Sequence, residues 1–211
     1  MAVYEIRHPL VKHNLTKLRD RRTDYMDFRR LVSSLSIFMV YEALRDINLS
    51  EVDIITPMEP TKGKSIDEKS INFFPVIRAG LAMTDGALMV VPGARVGHFG
   101  IFRNEESLEP VEYYRKFPPD VKNGLNLILD PMLATGGTSA LAVDFLREKE
   151  VPESKIKIVC IISAPEGIGK IVNSYDKIDI YTASIDDKLN EVGYILPGLG
   201  DAGDRAFGTL D

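Results

Sequence analysis

The stretch Asp130-Pro131-Met132-Leu133-Ala134-Thr135-Gly136-Gly137-Thr138-Ser139 carries the residue types that hold a sugar phosphate. Gly136 and Gly137 let the backbone curl around an anion, while Thr135, Thr138 and Ser139 add hydroxyl donors. The residues that follow, Ala140, Leu141, Val143, Phe145 and Leu146, keep helical spacing, so a helix starts here. Its first N–H groups lack partners and its dipole favours negative charge. Asp130, just before the loop, supplies a carboxylate to which ribose hydroxyls can donate. Walker A would require a lysine after the glycines, and a dinucleotide site would show G-x-G-x-x-G; the stretch has neither, which argues against a nucleoside-triphosphate hydrolase. The competing reading is a structural glycine turn with a helix cap.

Other residues with chemical potential read more plainly. Cys160 lies within Ile158-Val159-Cys160-Ile161-Ile162, an apolar setting that makes it a small core residue rather than a nucleophile. His8, His13 and His98 are scattered, and His98 reads as structural. Lys17, Arg19, Arg21 and Arg22 form a basic helix end, either a solvated face or a seat for an effector phosphate. Gly193, Gly198, Gly200, Gly203 and Gly208 are too many for a helix or a regular strand over 191–211, and taken alone they read as a loop.

The elements that position these residues follow from periodicity. Short β-branched or aromatic runs predict strands at 52–56, 71–77, 95–102, 125–129, 156–163 and 178–183. Helical spacing predicts helices at 8–20, 27–44 with Asp27 as N-cap, 79–90, 139–149 and 167–175. Strand and helix alternate as around a parallel sheet, so the fold class is α/β. The continuous runs at 125–129 and 158–162 suit strands covered on both faces. Residues 103–120, with Tyr113-Tyr114 and Pro118-Pro119, read as an arm or hairpin whose paired tyrosines pack on a partner subunit.

Composition narrows the function classes. The chain has 211 residues with 26 Lys plus Arg against 31 Asp plus Glu, a net charge of −5, so no global basic field exists to hold nucleic acid. A single cysteine permits no internal disulfide, and no Cys/His spacing marks a zinc site. Neither an 18-residue apolar run nor a signal-peptide pattern is present, so the expectation is a cytoplasmic protein with no membrane partner.

The strand-Asp-loop-helix unit resembles the 5-phosphoribosyl 1-diphosphate (PRPP) motif of type I phosphoribosyltransferases, and the wording DPMLATGG resembles the uracil phosphoribosyltransferase family. Three blocks agree: Arg78-Ala79-Gly80-Leu81, then Glu112-Tyr113-Tyr114 after Gly97-His98-Phe99-Gly100, and GYILPGLGDAGDRAFGT from Gly193 to Thr209. The resemblance runs from about residue 4 to the C-terminus. It implies one phosphoribosyltransferase domain over 1–211: a parallel sheet flanked by helices, a β-arm near 103–120 and a base-binding hood near 191–211. The implied reaction converts uracil and PRPP to uridine monophosphate (UMP) and diphosphate in pyrimidine salvage, with Mg2+ bound through the PRPP diphosphate and no protein metal site. By position, the PRPP residues would be Arg78, Arg103, Asp130, Pro131, Met132, Leu133, Ala134, Thr135, Gly136, Gly137, Thr138 and Asp201. Main-chain groups at Ile195, Gly200 and Ala202, beside Asp201, would read uracil. Arg78, Arg103 and Asp201 would be catalytic.

The family also implies a homodimer or homotetramer and, in some members, guanosine triphosphate (GTP) as effector. Two departures mark the loop: Pro131 stands where many type I relatives carry a second acid, and Thr138 where serine is commoner. Transfer to another base, and a uridine-nucleotide-sensing RNA-binding regulator on the same fold, are the rival readings.

Overall fold

Alternating strands and helices build one dominant sheet in the computed structural model, which describes residues 1–103 and 109–209. The first half comprises β1 (Val3–Glu5), α1 (Pro9–Arg19), α2 (Tyr25–Ala43), β2 (Ser50–Ile55), β3 (Pro60–Ser65), β4 (Ile71–Ile77), α3 (Leu81–Val90), β5 (Arg95–Val96), β6 (His98–Arg103) and β7 (Pro110–Lys116). The second comprises β8 (Leu125–Leu129), β9 (Met132–Leu133), α4 (Gly137–Glu148), β10 (Ile156–Ser163), α5 (Pro165–Ser174), β11 (Asp179–Ile185), β12 (Lys188–Leu189), β13 (Ile195–Leu196) and α6 (Ala202–Phe207). The sheet runs β1-β11-β10-β8-β4-β6-β7, with β5 also on β4 and β9 also on β10. Every pairing in it is parallel except β6–β7, which forms the antiparallel arm.

Period-two alternation divides the core between the two faces. Phe73, Leu127, Leu129, Val159 and Ile161 pack with α1, α2 and α3. Phe74, Ile128, Ile158 and Cys160 face the other way, toward Phe145 and Leu146 of α4 and Ile171 of α5. Cys160 is fully buried, which pushes its thiol up to about 12, so it is the inert core residue its setting predicts.

Four expectations need correction. The 52–56 strand exists as β2, but it pairs only with β3 in a separate exposed hairpin, whose lysine- and glycine-containing second strand carries no apolar alternation. The N-cap of α2 is Asp24, whose carboxylate accepts the Asp27 amide at 2.8 Å; Asp27 itself sits one turn in. Residues 191–209 are not wholly irregular, since β13 pairs with β12 and α6 occupies 202–207. The basic end of α1 is no uniformly solvated face either: Arg19 reaches back to Asp186 and Gly198. No helix among the described residues is long and apolar enough to cross a membrane.

Candidate active site

At the carboxyl ends of β4 and β8, where open parallel sheets bind ligands, lies a cleft of about 920 Å³. Its lining brings together Arg78, Asp130, Met132, Ala134, Thr135, Gly136, Thr138, Ile195 and Asp201, drawn from three distant blocks of sequence. Pro131, Leu133, Gly137, Gly200 and Ala202 lie next to lining residues without lining the cleft themselves. The Arg103 side chain falls outside the described residues.

The loop's shape has a local cause. After β8 the chain stays anchored to β10: Ile161 and Ile162 amides donate to Pro131 O, and β9 pairs with Ile162–Ser163. Leu133 is thereby buried. Released beyond it, the backbone turns at Gly136, whose φ of +77° suits glycine and whose added Cβ would stand 2.8 Å from Gly167 O. The α4 helix then begins with no side-chain cap, as α3 and α5 do, whereas His8, Asp24 and Asp201 cap α1, α2 and α6. Free amides at an uncapped N-terminus beside a cleft can seat an anion.

Asp130 stands at the loop's entry. Burial pushes its carboxyl up to about 7, against the opposing pull of the Met132 amide at 3.3 Å. Arg78 enters from the turn between β4 and α3, which passes tightly over β8: a Cβ on Gly80 would lie 2.3 Å from Leu129 O. Its guanidinium pairs with Asp204 of α6 at 2.8 Å and remains half-exposed.

The hood opposite is held from behind by charged groups. Arg19 donates to Asp186 Oδ2 and Gly198 O, each at 2.7 Å, and Asp186 in turn accepts the Gly198 amide at 3.0 Å. Burial works to raise the Asp186 pKa, but Arg19, the Ser184 hydroxyl and the Gly198 amide together outweigh it and the carboxyl sits below its usual range. Arg205, buried over the Phe28 ring, donates to Leu18 O, Leu199 O and Asp20 O at 2.7–2.9 Å. Backbone geometry around Gly198–Gly200 is thus fixed by side chains outside the cleft. Arg205→Ala strands three carbonyls at about 1 kcal/mol or more each. We expect it to lower unfolding free energy in urea by about 2–4 kcal/mol and to raise KM for the hood's ligand; an unchanged urea midpoint would remove Arg205 from this role.

Several lining residues were not singled out by sequence reasoning: Phe102, Glu191 and Tyr194 near the β12–β13 turn, and Asp204; Tyr113, read from the sequence as a subunit-contact residue, also lines the cleft, its ring 6.3 Å from that of Phe102. Asp204 carried a readable signal. An acid three residues after the capping Asp201 is the spacing of a helix start, and its amide donates to Asp201 Oδ1 at 2.9 Å.

The comparisons with known proteins agree with one another. A family model described as uracil phosphoribosyltransferase matches residues 5–209. The chain is 50% identical to the uracil phosphoribosyltransferase of Dictyoglomus thermophilum over 98% of its own length and 99% of the relative's. It is 51% identical to that of Streptococcus salivarius over 97% of each chain. The solved AQ2163 protein from Aquifex aeolicus superposes with a TM-score of 0.93 at 41% identity, covering 97% of both chains.

Proposed function

The chain belongs to the uracil phosphoribosyltransferase family, and from that premise we propose how its cleft performs the reaction. It transfers the phosphoribosyl group of PRPP to uracil, giving UMP and diphosphate, a step of pyrimidine salvage. The observation that carries the site reading is the meeting, across one cleft, of an uncapped helix N-terminus with a hood bearing Ile195 and Asp201.

In this reading the amides from Ala134 to Thr138 hold the 5-phosphate, and Asp130 accepts from the ribose hydroxyls. Pro131, Met132 and Leu133 complete the loop and are fixed to β10. Arg78 and Arg103 face the diphosphate, where planar guanidinium forks give paired, charge-assisted bonds. Main-chain groups at Ile195, Gly200 and Ala202 meet uracil's acceptor-donor-acceptor edge with the opposite pattern. Cytosine reverses two of those positions and leaves buried groups unpaired, a strong basis for rejection. As the bond from C1 to the diphosphate oxygen breaks and the bond to the uracil nitrogen forms, that nitrogen gives up its proton to water or the departing diphosphate, and positive charge develops on the ribose in the transition state. Asp130 and Asp201 then stabilise it electrostatically. Their carboxylate oxygens are hard donors facing one cleft, which fits Mg2+ carried in on the diphosphate; when bound, that ion neutralises charge on the departing group.

The Asp130 pKa sets a pH dependence. Below about 7 the free enzyme's carboxyl is protonated and becomes a weaker, uncharged acceptor for the ribose hydroxyls, so PRPP affinity rises as pH rises through about 7. Asp130→Asn should flatten that component in a KM-versus-pH series. A wild-type profile identical to the variant's would refute it. The same shift makes the native state bind a proton that the unfolded state releases between about pH 4 and 7, so this group lowers stability as pH rises across that window.

Exposed Ile55 and Met58 on the β2–β3 hairpin support a homodimer or homotetramer, which sedimentation would resolve. The functional test is direct: uracil, PRPP and magnesium must yield UMP, and uracil must outcompete cytosine and purines. No UMP at any enzyme concentration would overturn the reading.

A further inference from the structure

Arg78 is tethered at one end only. Its Nη2 donates to Asp204 Oδ1 at 2.8 Å and its Nη1 to Thr209 Oγ1 at 3.2 Å, while the Thr209 hydroxyl itself donates to Asp204 Oδ1 at 2.6 Å. These contacts use two of the five guanidinium N–H groups and leave the Nε side free of protein partners among the described residues. The Asp204 carboxyl is held below its ordinary range, first by the Thr209 hydroxyl and then by Arg78, burial opposing. Arg78, Asp201 and Asp204 all line the cleft, and the Asp204 amide donates to Asp201.

We propose that Asp204, steadied by Thr209, is the positioning residue for Arg78: it grips the outer end of the guanidinium and presents the remaining N–H groups to the PRPP diphosphate. The inference rests on the assignment of Arg78 to the diphosphate. A clasp built on α6 also ties the diphosphate arginine to the helix that Asp201 caps, so one short element sets both halves of the site.

The test compares Asp204→Asn, Thr209→Val, Arg78→Lys and the Arg78→Lys/Asp204→Asn double variant. The readouts are PRPP kinetics, product inhibition by diphosphate, and KM for uracil as the fold control. Asp204→Asn should weaken PRPP and diphosphate about 10-fold or more, with uracil KM within about threefold. Thr209→Val should act in the same direction by a few-fold, and it keeps the test valid if Asp204→Asn does not fold. The double variant should be no worse than Arg78→Lys, because both remove one interaction. Unchanged or tighter diphosphate binding in Asp204→Asn and Thr209→Val, or full additivity in the cycle, would overturn the proposal. If Arg78→Lys itself leaves PRPP and diphosphate unaffected, the diphosphate assignment fails instead.

Discussion

Gly137→Val is expected to raise KM for PRPP about 100-fold or more while the protein stays folded. The glycine is not required by the chain's own packing: an added Cβ would meet Pro110 Cδ at 3.4 Å and Thr135 Oγ1 at 3.6 Å, ordinary contact distances. It is the first residue of α4, whose N-terminus has no side-chain cap, and it stands between Gly136 and Thr138, which line the cleft. An isopropyl group there keeps an anion from closing on those amides. Hydrogen bonds to a charged group contribute about 1.5–3 kcal/mol each, so losing two costs a factor on the order of 100 or more. Steady-state kinetics and a thermal melt decide the matter together. A normal PRPP KM in a folded variant would mean that the loop is a structural turn. Gly136→Val is the contrasting control, because positive φ and the nearby Gly167 carbonyl make that substitution damage the fold as well.

Asp201→Asn is expected to lower kcat about 100-fold with KM for uracil within about threefold. Asparagine caps helices as well as aspartate does, so the bond from the Asp204 amide survives and α6 keeps its start. In the proposed mechanism, what disappears is negative charge beside a ribose that becomes cationic in the transition state. Single preorganised groups of this kind are worth about 100–1,000-fold in turnover. Uracil, which that mechanism has read by main chain, should hardly notice. A variant with normal kcat and a large uracil KM would reverse the assignment and make Asp201 a base-reading residue.

How far the sequence reveals this site depends on burial. The strand ranges read for β4, β8 and β10 coincide with those observed, because these strands are enclosed on both faces and their residues are almost uniformly apolar. Two short or exposed elements were missed for the same reason. β1 is a three-residue edge strand, and β3, Pro60-Thr61-Lys62-Gly63-Lys64-Ser65, is exposed along nearly its whole length. In the C-terminal block the glycine count masked α6, a helix of six residues that Asp201 starts and Gly208 stops at φ +68°. The Arg78–Asp204 clasp spans 126 positions, and the anchoring of Gly198 by Arg19 spans 179. Only folding brings such partners together, and no periodicity encodes them.

A crystal structure of the enzyme with UMP tests the central claim most directly. The account predicts the 5-phosphate within hydrogen-bonding distance of the main-chain amides between Ala134 and Thr138, with the ribose on Asp130 and the base against Ile195, Gly200 and Ala202. A phosphate gripped instead by a lysine side chain such as Lys170, with the loop amides turned away, would contradict it.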